Sequence, residues 1–315
     1  MIIDSHCHVQ ETEFENLDQV KACKLAVMGT SPRDWADVAN LTEEYPSKII
    51  PCFGVHPWFS ESSKDEDPCI GPLSFTSEEK EFWWIGLLEK YLKRFPQAIV
   101  GEIGIDKSAV DLQTKKPYDF EIQQKVLHSQ FQLAARMHRS VSVHCVQAFG
   151  ALVDLFKEVK HDILLSSDDE KKRGLMFPPK IMLHSFSGSS ETAKALKAQV
   201  SFSSKEMKIV NSNLIGEPSK PPSPEYSGTN GPNFTPPSLF YSLSELVNMR
   251  SEKKLEKLLS SISIDSILIE SDCGSVHLVD EKLHNISSKC ASILNMDTQT
   301  FLDHISDNNK SFFCN

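Results

Sequence analysis

Short runs of Ile, Val and Leu recur along this chain, each separated from the next by a longer stretch whose apolar residues fall at helical spacing. Strands buried on both faces read as nearly continuous apolar runs, and parallel strands need long crossovers between them, so the alternation points to a parallel α/β fold. Eight strand segments are expected: Ile2–Cys7, Lys24–Gly29, Ile49–Val55, Ala98–Ile103, Val141–Cys145, Lys180–His184, Val200–Ser203 and Ile267–Ser271. Helices are expected over Ser31–Tyr45, Ser77–Arg94, Asp119–His138, Ala148–Lys160, Ser190–Lys197, Ser242–Leu259 and Val279–Leu294, with a weaker one near Thr12–Cys23. A doubly wound open sheet would carry a Gly-rich phosphate loop after its first strand, and none is present here. Eight strands alternating with helices favour a closed TIM-type (β/α)₈ barrel, and 315 residues accommodate one barrel with insertions as a single domain.

Two insertions interrupt the pattern. Ser60–Thr76 is acidic and holds Pro and Gly, and Asn211–Pro237 contains the run EPSKPPSPEYSGTNGPNFTPP. Such composition buries too little apolar surface for a core element and reads as long loop, here also a docking segment for a protein partner. Ser166–Gly174 reads as a charged turn.

The net charge of −10 argues against a broad basic footprint for duplex nucleic acid, so any phosphate must be held by metals and a few local cations. The eight cysteines are scattered without a CxxC pair, as a reducing compartment tolerates. No basic stretch leads into an apolar one near Met1, and no run approaches the ~18 apolar residues of a membrane span. A cytoplasmic or nuclear setting without membrane contact is the expectation.

Chemistry gathers at the strand ends. In Asp4-Ser5-His6-Cys7-His8 two histidines lie two residues apart on an extended segment, so both imidazoles face one side and reach one ion. Glu102 sits inside the apolar run Val100-Gly101-Glu102-Ile103-Gly104, where a buried carboxylate is costly unless it is paired or binds metal; the glycines leave room for close approach. His144 and His184 each follow an aliphatic run, and Asp272 closes Leu268-Ile269-Glu270-Ser271-Asp272 in the same way, with Glu270 one layer deeper on the same face. Thus His6, His8, Glu102, His144, His184 and Asp272 all fall at the end of the barrel where active sites are built. Six mixed nitrogen and oxygen donors exceed the needs of one tetrahedral ion and suggest two divalent ions, Mg²⁺, Mn²⁺ or Zn²⁺, bridged by Glu102.

The DxHxH opening, the GEIGID segment, the strand-end His144, the HSFSGS segment at His184–Ser189 and the ESD at Glu270–Asp272 together resemble the motif series of the TatD family of metal-dependent deoxyribonucleases. The resemblance implies that His6, His8 and Asp272 hold one metal, that His144 and His184 hold the other, and that Glu102 bridges them. It also implies that His56, in Gly54-Val55-His56-Pro57, lies near a substrate phosphate. The implied activity is phosphodiester hydrolysis on single-stranded DNA or DNA ends, in the manner of a 3′–5′ exonuclease, with Asp272 as general base and Glu102 and His56 beside it. Lys107 and Lys205 are further candidate cations, and Trp58 a candidate stacking surface for a base. Val146 stands where that family usually carries Arg, which removes a bidentate phosphate clamp, and Gly274 where it usually carries Pro. Amide, ester or lactone hydrolysis on the same site, or a scaffold role through the Pro/Ser-rich insertion, are the alternatives.

Overall fold

Eight strands form one parallel sheet in sequential order: β1 (Ile3–Cys7), β2 (Lys24–Met28), β3 (Ile49–Phe53), β4 (Ile99–Asp106), β5 (Val141–Val146), β6 (Lys180–Leu183), β7 (Ser238–Ser244) and β8 (Ile267–Glu270). The computed structural model describes residues 2–11, 17–60, 83–111, 114–165, 176–214 and 234–314. The ring closes where Asp272 donates its N–H to the His6 carbonyl (3.0 Å) and His8 donates to the Cys273 carbonyl (2.9 Å). Closure matters for function, because it sets Asp272 beside the two histidines of β1.

The crossovers are α1 (Trp35–Glu44), α2 (Trp84–Arg94), α3 (Phe120–Arg136), α4 (Phe149–Leu165), the pair α5 (Ser190–Val200) and α6 (Ser204–Leu214), and the pair α7 (Glu245–Asn248) and α8 (Glu252–Leu259); α9 (Val279–Ile293) and α10 (Thr298–Phe313) follow β8. Their starts obey local chemistry: the Asp119 carboxylate accepts from the N–H groups of Glu121 and Ile122 at α3, and the Ser189 hydroxyl from Thr192 N–H at α5.

Side chains alternate along each strand. Leu25, Val27, Val141, Val143, Leu239, Leu243, Ile267 and Ile269 join the large core beneath the helices. Ile3, Ala26, Met28, Ile50, Cys52, Ile99, Met182, Phe240 and Leu268 form a second core within the ring, and Phe312 of α10 packs against it, its ring 5.2 Å from that of Phe240. Along the same inner faces the residues become polar toward the strand C-termini: Leu268 gives way to Glu270, Phe240 to Ser242 and Ser244, and Met182 to His184. The N-terminal half of the barrel is a packed plug and the C-terminal half holds the reactive groups, as in barrels of this class.

The expected strands agree with β1 to β6 and β8 within a few residues, β4 running on to Asp106. The seventh differs. Val200 ends α5 and residues 201–203 are irregular, while β7 lies at Ser238–Ser244, partly where a helix over Ser242–Leu259 was expected. The inward Ser242 and Ser244, each fully buried, break the apolar run by which a buried strand is recognised. Near Thr12–Cys23 the described residues hold only a 3₁₀ turn, Leu17–Gln19, and α10 answers to no expected helix. Helix α6 reaches Leu214, past the expected loop start at Asn211; residues 215–233 of that insertion, residues 61–76 of the other and the turn Ser166–Gly174 lie outside the described residues.

The β1–β8 seam carries one buried carboxylate. Asp4 accepts from Ser271 N–H (2.9 Å) and Ser271 Oγ–H (2.5 Å), and burial pushes it up to about 7 against the effect of those bonds. Replacing Asp4 by Ala strands a buried donor, so thermal or urea unfolding is expected to show a loss of about 1–3 kcal/mol; unchanged stability would remove Asp4 as a clasp of the ring.

Candidate metal centre

Glu102 is the hub. It lies on β4, 3 % exposed, where two glycines let neighbouring strands close in: a Cβ on Gly54 would stand 2.7 Å from the Glu102 carbonyl, and one on Gly104 (φ 156°) 2.0 Å from the His144 carbonyl. Five imidazoles converge on its carboxylate. His6 Nε2 (3.3 Å) and His8 Nε2 (3.4 Å) address Oε2, whereas His184 Nε2 (2.9 Å), His144 Nδ1 (3.0 Å) and His56 Nε2 (3.3 Å) address Oε1. Asp272 Oδ1 joins the first side, 3.7 Å from His8 Nε2 and 4.0 Å from His6 Nε2. All six expected ligand side chains are therefore brought together, with His56 as a seventh group.

The outer ring nitrogens show what each imidazole can offer. His8 Nδ1 faces the Met28 carbonyl (3.2 Å), His184 Nδ1 faces Glu270 Oε1 (3.3 Å), His144 Nε2 faces Asp106 Oδ2 (3.4 Å) and His6 Nδ1 faces Ser142 Oγ (3.1 Å). Carbonyl and carboxylate oxygens only accept, so His8, His184 and His144 each have an outer acceptor for the ring proton, which frees the inner nitrogen as a lone-pair donor when a cation faces it. His56 is the reverse: its Nδ1 accepts Trp58 N–H (3.3 Å), leaving the proton on Nε2 toward Glu102. It offers the site a donor rather than a ligand.

This donor set was tested against a divalent-ion centre. His144 Nδ1 and His184 Nε2, both lone pairs when the ring protons lie outside, stand 3.0 Å apart, and His6 Nε2 and His8 Nε2 stand 3.2 Å apart, each pair against one carboxylate oxygen. Facing acceptors repel unless positive charge lies among them. The ligand atoms of His6, His8 and Glu102 fall within 4.8 Å of one another, as do those of His6, His184 and Glu270, and those of Glu102 and His144 together with the His56 ring. The residues present fit a divalent-ion centre.

Titration behaviour differs from ring to ring, and burial, with His184 beside it, lowers His6. Burial alone would raise Glu102, but His56, His184 and His6 around it hold it well below the usual carboxylate range. Burial alone would lower His8, yet Glu102 and Asp272 bring it up to about 9, and Glu102 and Glu270 raise His184 well above its ordinary value. His56, whose burial is opposed only in part by Glu102, is pushed down to about 4. The surrounding carboxylates thus prevail over burial at His8 and His184, and burial prevails at His6 and His56.

Several groups at the site carry no motif signal. Gln123 and Gln130 both lie on the buried stripe of α3. Gln130 Oε1 accepts Val55 N–H (2.7 Å) while its Nε2 donates to the Val55 carbonyl (3.0 Å), fixing the backbone just before His56. Gln123 does the same for Asp106, at 2.7 and 3.2 Å. Two glutamines seven residues apart within an apolar stripe are the signal that would have found them. Glu270 Oε1 also accepts Ser185 N–H and Oγ–H, both at 2.7 Å, which gives it the supporting place that its deeper layer suggested. Just beyond β6 and β8, Ser185 (φ 41°) and Asp272 (φ 48°) adopt the left-handed conformation that is uncommon for non-glycine residues.

The remaining candidates are less central. Trp58 is half exposed, its ring edge-on to His56 (5.1 Å) and its indole N–H on Asp106 Oδ2 (2.9 Å). The Lys107 ammonium lies over the Phe120 ring (4.7 Å), and its backbone N–H donates to the Val146 carbonyl (3.1 Å), so it stands at the same rim. Lys205 opens α6, after α5 has led the chain away from the strand C-termini, and is not brought to the cluster.

Comparison with known proteins agrees with this architecture. The sequence model of the family described as TatD related DNase matches residues 3–214. Cut9-interacting protein scn1 of Schizosaccharomyces pombe is 30 % identical, covering 99 % of this chain and 98 % of its own length. A Saccharomyces cerevisiae protein named as an uncharacterized deoxyribonuclease is 27 % identical over 86 % of this chain and 83 % of its own. Among solved structures, a TatD homologue from Escherichia coli superposes with a TM-score of 0.64 at 20 % identity, covering 99 % of this chain and 97 % of that one, a likeness of fold. With the barrel, the clustered side chains and these relatives together, the chain belongs to the TatD related DNase family.

Proposed function

We propose that this protein is a two-metal deoxyribonuclease that hydrolyses phosphodiester bonds in single-stranded DNA or at DNA ends, trimming in the 3′–5′ direction, as one catalytic domain with loop insertions. The observation that carries the reading is the division of one buried carboxylate between two histidine pairs, Oε2 with His6 and His8 and Oε1 with His144 and His184. In this reading His6, His8 and Asp272 would hold one ion and His144 and His184 the other, with Glu102 shared between them. Mg²⁺, Mn²⁺ and Zn²⁺ all suit such mixed donors. When bound, the ions lower the pKa of a coordinated water and polarise the phosphoryl oxygen.

The chain's own groups do the rest. Asp272, at 19 % side-chain exposure the most open carboxylate of the cluster, receives the proton of the attacking water; its Oδ2 lies 3.3 Å from Ser185 Oγ. His56, held neutral with its N–H inward, donates to a phosphate oxygen without adding charge that would compete with the ions. Trp58 offers its exposed face to an unstacked base, and Lys107 a local positive charge.

We assign the protein to the cytoplasm, the nucleus or both; among the described residues no helix is long and apolar enough to cross a membrane. A protein partner engaging the Pro/Ser-rich insertion is a second element of the proposal, supported by the fission yeast relative named for its interaction with Cut9.

The test strips the purified protein of metal, restores each of the three ions in turn, and follows single-stranded DNA labelled at either end. Cleavage is expected only with restored metal, and Asp272→Asn is expected to lower kcat by about 10²–10⁴-fold, the usual worth of a general base. If stripped protein or Asp272→Asn cleaves as fast as loaded wild type, the mechanism is wrong.

A further inference from the structure

Of the four histidines assigned to the ions, one is turned around. His6, His8 and His184 present Nε2 to Glu102, while His144 presents Nδ1. The reversal is set from behind, where His144 Nε2 meets Asp106 Oδ2 at 3.4 Å.

Asp106 has little freedom to turn away. It is 3 % exposed, its Oδ1 accepts Ser108 N–H (2.8 Å) and Oγ–H (2.6 Å), and its Oδ2 accepts the Trp58 indole N–H (2.9 Å). Its backbone N–H and carbonyl are both occupied by the Gln123 side chain. Asp106 at Nε2 (3.4 Å) and Glu102 at Nδ1 (3.0 Å) can both only accept, so once a cation takes the Nδ1 lone pair the ring's proton is on Nε2, where the pinned Asp106 receives it.

We propose that Asp106 is a positioning residue for one ion only, the one assigned to His144 and His184, fixing which nitrogen of His144 is available and in which direction. Trp58, sharing Oδ2, ties the rim of the mouth to the same unit. The assignment rests on the two-ion reading above. A merely structural Asp106, closing the turn with Ser108, would act through Oδ1 and leave the chemistry of His144 untouched.

The experiment measures Zn²⁺ affinity of metal-stripped protein by competition with a chelator, together with the imidazole ¹⁵N–¹H spectrum of the Zn²⁺-loaded, ¹⁵N-labelled chain. Asp106→Ala is expected to weaken one of two Zn²⁺ binding steps by ~10–100-fold and leave the other unchanged. Asp106→Asn, whose carbonyl still accepts and whose shape is nearly native, is expected to lose less. In wild type the His144 Nε2–H signal should exchange slowly with the metal on Nδ1, and in Asp106→Ala it should broaden into exchange with water. Ser108→Ala, which removes one bond to Oδ1 and none to Oδ2, should keep both affinities and the signal. Wild-type binding in both steps by Asp106→Ala and Asp106→Asn overturns the assignment, as does a loss in Ser108→Ala as large as in Asp106→Ala. A wild-type chain that binds no divalent ion rejects the two-ion reading itself, a result distinct from either of these.

Discussion

Replacing Glu102 by Gln is expected to reduce bound divalent metal from the two ions proposed to one or none, and to lower kcat/KM on single-stranded DNA by at least ~10³-fold. The magnitude follows from the several kcal/mol of charge stabilisation that bound cations supply to a phosphoryl transition state, at about 1.4 kcal/mol per factor of ten. Gln keeps the volume and one carbonyl oxygen but presents N–H₂ where the second oxygen was. One of the two histidine pairs then faces a donor instead of an acceptor. Elemental analysis of dialysed protein and initial rates with saturating Mn²⁺ check the two halves separately. Full metal content with full activity would remove the carboxylate from the centre of the mechanism. Full metal content with lost activity would confine its role to the reaction.

Gln130→Leu is expected to be the most damaging change outside the centre. The amide is fully buried and holds both backbone groups of Val55, so an isosteric apolar side chain leaves an N–H and a carbonyl without partners, at a cost of about 2–6 kcal/mol for the two. His56 follows directly in the chain, and misplacing a substrate-facing donor by about 1 Å costs up to ~10²-fold in rate. Urea unfolding should show the stability loss. Assays well below the unfolding midpoint should show a fall in kcat in the remaining folded protein. Gln130→Glu, which retains the acceptor for Val55 N–H, should recover part of both. Native stability in Gln130→Leu would mean that the segment before His56 is held by other contacts.

Much of this architecture is visible in the linear chain, and for definite reasons. Buried parallel strands need apolar runs, so seven of the eight strands announce themselves. Groups that serve a site at the mouth of a barrel must project from strand ends, so the proposed ligands His6, His8, His144, His184 and Asp272 appear just where those runs stop, and Glu102 stands out as a charge inside one. Strand β7 escaped because its inner face is lined by Ser242 and Ser244, which bond to Ser5 and Ser185 across the barrel at 2.7 Å, and serine carries no strand signal. Helix α10 escaped although it supplies Phe312 to the inner core, because its apolar positions are diluted by Asp, Asn and His.

Spacing and residue type thus dictate the barrel and name the donors, since both follow from short-range constraints on what a strand can bury and what a metal can bind. Folding adds what depends on neighbours brought from far along the chain. It determines which oxygen of Glu102 each imidazole meets, that His56 turns a proton rather than a lone pair to the same carboxylate, and that Asp106 and Glu270 stand behind two of the rings. Apart from the Trp58 N–H on His56, two residues along, those relations join residues 38 to 96 positions apart. A histidine has two chemically distinct nitrogens, and the one it offers is chosen by whatever happens to pack against the other.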